Sequence, residues 1–279
     1  MFASIALAAR IDRAETRLTE SLARAVMASK PESRAFVEVI GGGVAAYAGP
    51  SSPMNKMIGV GFEGMPSERR LQEIEGLYRE RGAPLQAEVA TLGDPAFAAE
   101  LTRRGYVLRN FENVSGRPIV DADRNPPDAH GIRIDVMTET NATDWIDAAI
   151  AGFQHPDGKG VPADELAPRD ALDAALRPFA TVDGFGRYCA WLDGQLAGVA
   201  TLRIDDGVAQ LCGAATLPPF RRRGIQAALL RRRLADSARA GCDLAVITTQ
   251  PGSTSQENGH RQGFALLYAR AILVRDPAA

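Results

Sequence analysis

Apolar residues recur at helical spacing near the start of the chain, where Ile11, Leu18, Leu22 and Val26 share one face. The pattern predicts a helix through "RIDRAETRLTESLARAV". The preceding "MFASIALAAR" lacks the basic start of a leader peptide. Further on, "NKMIGVGF" reads as a strand, "SERRLQEIEGLYRERG" as a helix and "PLQAEVATLG" as a strand. "DPAFAAELTRRGY" and "VLRNFENVSGRPI" then close the half as helix and strand. A polar stretch with two prolines, "DADRNPPDAHG" (Asp121–Gly131), reads as a linker.

Beyond it the rhythm starts again. "GIRIDVM" predicts a strand, "NATDWIDAAIAGF" and "DELAPRDALDAALRPF" predict helices, and "RYCAWLDG", "QLAGVATLRID" and "VAQLCGAATL" predict strands. Asp193-Gly194 and Asp206-Gly207 are hairpin turn signals between them. After a long helix come the strand "DLAVITT", a short helix "SQENGHRQ" and a last strand "ALLYARAILV". The two halves also end alike. "LQAEVATLGDPAFAAELTRRGY" and "LAVITTQPGSTSQENGHRQGF" align with one gap, and both finish in Arg-x-Gly-aromatic, at Arg103–Tyr106 and Arg261–Phe264. The expected fold is therefore mixed α/β, with largely antiparallel central sheets and flanking helices. It is built as two similar modules in tandem, over residues 1–122 and 130–279.

Composition narrows the function. The 279 residues are 46% hydrophobic and 24% charged, which is the balance of a globular protein with an adequate core. A net charge of −2 supplies no global positive field for nucleic acid, and no apolar run is long enough to span a bilayer. Cys189, Cys212 and Cys242 show no C-x-x-C spacing, and His130, His155 and His260 no ligand spacing. Neither a disulfide framework nor a metal site is expected, and a reducing cytoplasm fits best.

The chemistry concentrates in "TLPPFRRRGIQAALLRRRLADSARAGC", Thr216 to Cys242. A strand enters, Gly224 marks the turn, and Ala227, Leu230, Leu234 and Ala238 trace one apolar helix face that Gly241 stops. A helix that starts at a glycine presents free N–H groups and its positive end to one point, and no Cβ blocks an anion's approach. Arg221, Arg222 and Arg223 would add charge-assisted hydrogen bonds. Arg231, Arg232 and Arg233 read as an exposed helix face, and His155 as a surface histidine in a Gly/Pro-rich loop. The stretch is neither a Walker A loop nor a dinucleotide fingerprint.

It does resemble the R/Q-x-x-G-x-G/A signature of the GNAT superfamily of N-acetyltransferases. Arg221, Gly224 and Gln226 stand at the marked positions, with Gln226 in place of the final small residue. "TTQPGSTSQENGHRQGF" resembles the strand-helix close of that family, and the likeness runs from Ile132 to Val274. The resemblance implies acetyl-CoA as co-substrate, lying where "QLCGAATL" and "DLAVITTQ" splay apart, and no metal. It implies that main-chain groups of Ala215, Thr216 and Leu217 bond the pantetheine arm. Main-chain N–H groups of Arg222, Arg223, Gly224, Ile225, Gln226 and Ala227 would hold the pyrophosphate, and Asn258 would reach the pantetheine or thiol end. The loop around His155 would border the acceptor, a primary amine of a small molecule, peptide or protein.

The catalytic groups are not assigned by the resemblance. Gly259 stands where many relatives carry a tyrosine acid, and the strand "VAQLCGAATL" has no carboxylate. Tyr268 is left as a substitute acid, with core packing as its other role. A second reading is therefore an acyl-CoA-binding regulatory module without catalysis. In the N-terminal half, Ser67-Glu68-Arg69-Arg70 enters its helix without a glycine, and Glu68 would compete with phosphate for the helix dipole. That half is expected to bind no acetyl-CoA.

Overall fold

The computed structural model describes residues 2–127, 129, 131–161 and 168–277. His130, and residues 164–167 at the start of one expected helix, lie outside them. The elements run α1 (Ile5–Ser29), β1 (Phe36–Ile40), β2 (Gly43–Tyr47), β3 (Lys56–Ile58), α2 (Glu68–Arg79), β4 (Leu85–Ala90), α3 (Pro95–Arg103) and β5 (Val107–Pro118). They continue as β6 (Ile132–Val136), α4 (Ala142–Gln154), α5 (Arg169–Thr181), β7 (Phe185–Leu192), β8 (Gln195–Asp205), β9 (Val208–Gln210) and β10 (Ala215–Thr216). Last come α6 (Ile225–Arg239), β11 (Leu244–Thr249), α7 (Thr254–Arg261) and β12 (Ala265–Arg275). No described helix is long and apolar enough to cross a membrane. The chain forms two compact units, Phe2–Val114 with the residues from Leu267 on, and Ser115–Leu266.

In the first unit, Ser4 caps α1 by accepting the Leu7 N–H at 3.1 Å, and Ser67 caps α2 by accepting from Arg70 at 3.2 Å. β1 and β2, which the apolar spacing left unread, form a hairpin closed by Gly41 and Gly42, at φ 52° and 79°. That two-residue turn needs positive φ at both positions, so the run of glycines in "VEVIGGGVAAY" was its signal. β3 pairs parallel with β4, and β4 pairs antiparallel with β12, from Arg270↔Ala90 to Arg275↔Leu85. The last strand of the chain thus completes the N-terminal sheet. One sheet face packs Phe36, Tyr47 and Tyr78 with Leu71, Ile74, Phe97 and Leu101 into the core against α2 and α3.

The other face, under α1, buries charge instead. Arg270, fully buried, donates to Asp12 Oδ1 from Nε at 3.1 Å and from Nη2 at 2.5 Å. Lys56 Nζ meets Glu88 Oε1 at 2.9 Å.

In the second unit, β6–β7–β8–β9 is an antiparallel meander. Both expected Asp-Gly turns are present, at φ 53° and 75° for Asp193-Gly194 and 47° and 72° for Asp206-Gly207. β9 then pairs parallel with β11. One face carries α4 and α5, with the buried Trp145 donating its indole N–H to the Tyr188 carbonyl at 3.2 Å. The other face carries α6, whose Ile225, Leu229, Leu230 and Leu234 pack with Ala200, Leu202 and Phe264.

Two expectations need correction here. The apolar face of α6 is wider than the Ala227–Ala238 row: Ile225, Ala228, Leu229 and Ala235 are buried, and Ala227 is half-buried. Arg231, Arg232 and Arg233 do not form an exposed face: the first two are half-buried and Arg233 is 1% exposed. The repeated ending, by contrast, has one geometry. Gly105 and Gly263 sit at φ 85° and 83°, and the next residues, Tyr106 and Phe264, donate back to Leu101 and Gly259 at 3.0 and 3.1 Å. Each is a helix stop that only a left-handed residue completes.

Candidate functional site

The site begins where two parallel strands part. Leu244↔Val208, Ala245↔Ala209 and Val246↔Gln210 are in register, and the Leu211 N–H still reaches the Val246 carbonyl at 3.0 Å. Then the first strand leaves. Gly213 takes φ 55° beside Thr201, where a Cβ would stand 2.8 Å from Oγ1. β10 continues paired with β8 alone, by Ala215↔Val199 and Thr216↔Gly198, while β11 runs on to Thr249. A gap bounded by strand edges opens between the two branches.

The departure is held from below by Arg233. Its guanidinium donates to the Thr201 and Cys212 carbonyls at 3.0 and 3.3 Å and, through Nε, to the Leu229 carbonyl at 3.2 Å. Cys212 also accepts the Thr201 hydroxyl at 2.8 Å. Burial lowers the Arg233 pKa to about 10, because the charged form loses hydration. Sequence spacing alone could not reveal this role, since the Thr201 and Cys212 carbonyls are brought to Arg233 only by the tertiary fold.

Of Ala215, Thr216 and Leu217, the structure turns one toward the gap. Leu217 donates inward to the Ala197 carbonyl at 3.0 Å, so strand alternation points the main-chain groups of Thr216 away from β8. A turn of 3₁₀-helix at Pro218–Phe220 follows, then Arg222 and Gly224 in left-handed conformations, φ 62° and 84°. α6 starts at Ile225 with Gly224 as its cap and no side chain bonded to its first N–H groups. Among the described residues, no acceptor takes the N–H groups of Arg222, Arg223, Gly224, Ile225, Gln226 or Ala227. They form a cluster of free donors at the positive end of a four-turn helix.

The arginines divide their work. Arg221 donates from Nε to the Thr216 carbonyl at 3.4 Å and from Nη2 to the His155 carbonyl. Arg223 meets Asp193 at 3.0 Å, and Arg222 is exposed. On the helix, Arg232 bonds Asp236 at 2.9 Å and the Ile134 carbonyl at 2.9 Å. Gln226, at the position of the family's small residue, donates to Thr216 Oγ1 at 2.9 Å and ties α6 to β10.

Asn258 lies half-buried on α7 and accepts from Arg261 at 3.3 Å. The neighbouring Gly259 is pressed onto β11: a Cβ there would stand 2.1 Å from Ile247 Cδ1. A larger side chain at 259 would have to displace the Ile247 side chain, so this packing favours glycine. Tyr268 belongs to the other unit. It is buried there, donates to Asp12 Oδ1 at 2.7 Å, and its pKa is raised well above 10 by burial.

Comparison with known proteins bears on this geometry. Residues 153–264 match the model of the acetyltransferase (GNAT) family. A GCN5-related N-acetyltransferase from Kribbella flavida superposes with a TM-score of 0.68 at 20% identity, covering 97% of this chain and 96% of its own. A tandem GNAT protein from the clavulanic acid biosynthesis pathway gives 0.55 at 15% identity, over 85% and 80%. A GCN5-related N-acetyltransferase from Sphaerobacter thermophilus gives 0.54 at 15% identity, over 74% and 66%. No curated protein matches the sequence. Residues 153–264 are thus similar to the GNAT acetyltransferase family, and the fold is similar to that of GNAT proteins, a tandem one among them.

Proposed function

We propose that the protein transfers an acetyl group from acetyl-CoA to a primary amine of a small molecule, peptide or protein. The observation that carries this reading is the coincidence of two vacant donor sets. Where β10 parts from β11, the outward-turned Thr216 lies at the gap, and the free N–H groups of residues 222–227 cluster at the start of α6. An amide-bearing arm that ends in a pyrophosphate matches both, the arm along the strand edge and the phosphates at the helix end. The main chain of Thr216 would meet the arm, flanked by Ala215 and Leu217, with Asn258 on α7 at its other end. Bound acetyl-CoA would supply an activated thioester, and the protein would hold it against an incoming amine. The amine must lose a proton, and with Gly259 in place of an acid the departing thiolate would be protonated by solvent.

A second reading, an acyl-CoA-binding regulatory module, draws on the same Gly259. Free-thiol release from acetyl-CoA, followed with and without a panel of primary amines, separates the two. Amine-dependent release is the expected result. Binding of acetyl-CoA without amine-dependent release would favour the regulatory module.

A further inference from the structure

α4 ends against β10, so closely that a Cβ on Gly152 would stand 2.4 Å from the Ala215 Cβ. From there the segment His155–Val161 crosses to the start of α7. Its near end is held by Arg221, which binds the His155 and Thr216 carbonyls together. Its far end rests on the β11–α7 turn. A Cβ on Gly160 would meet Ser253 Cα at 3.0 Å and the Pro251 carbonyl at 3.1 Å, and Lys159 Nζ meets Glu257 at 3.1 Å. This end also walls an open hollow of about 430 Å³ with Gly252, Gln256 and His260. The segment therefore straps the branch that ends in β10 to the branch that ends in β11.

The two ends are held by different chemistry. The Lys159–Glu257 pair is exposed, 63% and 41%, and solvent screening keeps such pairs weak. The near end depends on a guanidinium that sits next to the free N–H groups of residues 222–227 and spends its donors on neutral carbonyls. A phosphate oxygen brings its own negative charge and accepts the guanidinium fork bidentately, so it outcompetes a neutral carbonyl for Arg221.

We propose that Arg221 is a positioning residue that works as a latch: when an anionic cofactor fills the cradle, its guanidinium leaves the His155 carbonyl for a phosphate, and the strap 155–161 is released to admit the acceptor. The proposal rests on the cofactor reading above. No bond is made or broken in this step beyond the exchange of hydrogen-bond acceptors. The strap then keeps its far anchor, the exposed Lys159–Glu257 pair and the packing of Gly160 on Ser253 and Pro251, but loses the tie to Arg221.

The test is hydrogen exchange of the Asp157–Val161 amides in the full chain, with and without CoA, alongside calorimetry that reports CoA binding. Saturating CoA should speed exchange of this segment several-fold while the amides of residues 222–227 slow. In Arg221→Gln the segment should exchange fast from the outset and no longer respond to CoA. Should that variant not fold, Arg221→Lys, which keeps the charge without the fork, should shift in the same direction. A strap that is slowed or unmoved while calorimetry shows CoA bound would overturn the latch and leave the cofactor reading standing. No CoA binding at all would overturn both.

Discussion

In the N-terminal unit the Asp94 N–H donates to the Gly61 carbonyl at 2.8 Å, a bond that stitches the chain after β3 to the chain after β4. Those segments are the counterparts of the two branches that part after Leu211 and Val246. Here they stay joined, and Gly93 packs so near that a Cβ would meet the Gly61 carbonyl at 3.5 Å. The Ser67 side chain also occupies the first turn of α2, and Glu68 follows it. Calorimetry on the full chain should therefore find one CoA per chain. Gly224→Asp should abolish that binding, because it adds charge and forces a side chain to φ 84°. With CoA at 100 times its dissociation constant, the wild type should gain about 2.7 kcal/mol in stability. Two equivalents bound, or a full shift in a folded Gly224→Asp, would refute this placement.

The buried layer under α1 predicts a stability effect remote from the cradle. Arg270 and Asp12 are 0% and 1% exposed, and Tyr268 donates to the same carboxylate oxygen. Asp12→Ala leaves a buried cation short of its closest partner, so urea unfolding should show a loss of about 3–5 kcal/mol. The double replacement Asp12→Leu with Arg270→Met removes both charges and should recover part of that loss. A single variant within 1 kcal/mol of wild type would contradict the structure.

Glu112 gives the same region a pH dependence. Burial, followed by the nearby Glu88 charge, raises its carboxyl to about 7, against the opposing pull of Lys56 and Arg270. With the folded pKa above the unfolded one, the folded state binds more protons between roughly pH 4.5 and 7. Its contribution to stability is present below that window and lost as pH rises through it. Glu112→Gln should match wild type near pH 4.5 and exceed it in urea midpoint at pH 8. A variant less stable than wild type at pH 8 would show that the ionised carboxylate is well accommodated.

Much of this was legible locally. Asp193-Gly194 and Asp206-Gly207 specify their hairpins because a left-handed pair is what a two-residue turn needs. The Arg-x-Gly-aromatic endings repeat because Gly105 and Gly263 perform one capping task. The turn into α6 was legible for the same reason, through Gly224. What stayed hidden is non-local. Nothing near Arg270 announces that β12 pairs with β4, and nothing near Arg233 announces the Thr201 and Cys212 carbonyls at the strand departure. Charge in a helical pattern reads as solvent-facing until tertiary structure supplies acceptors.

The two arginine triplets can now be told apart residue by residue. In the loop, Arg221 meets a phosphate only by giving up the His155 carbonyl and Arg223 is paired with Asp193, whereas exposed Arg222 can meet one without breaking such a bond. Arg222→Gln should weaken CoA about tenfold, the scale of one charge-assisted hydrogen bond, and flatten its salt dependence. On the helix, Arg231 begins seven residues beyond Gly224, roughly 10 Å at the helical rise. At that separation half-buried Arg231 is out of hydrogen-bonding reach of the cradle, so Arg231→Gln should leave CoA affinity within a few-fold. Arg233→Gln should act differently again, lowering stability by about 1–3 kcal/mol because the buried links from α6 to the Thr201 and Cys212 carbonyls are lost. Calorimetry and urea unfolding on the three single variants separate these outcomes. Equal losses of affinity from Arg222→Gln and Arg231→Gln would point to a broad anionic partner lying along α6 rather than a phosphate held at its start.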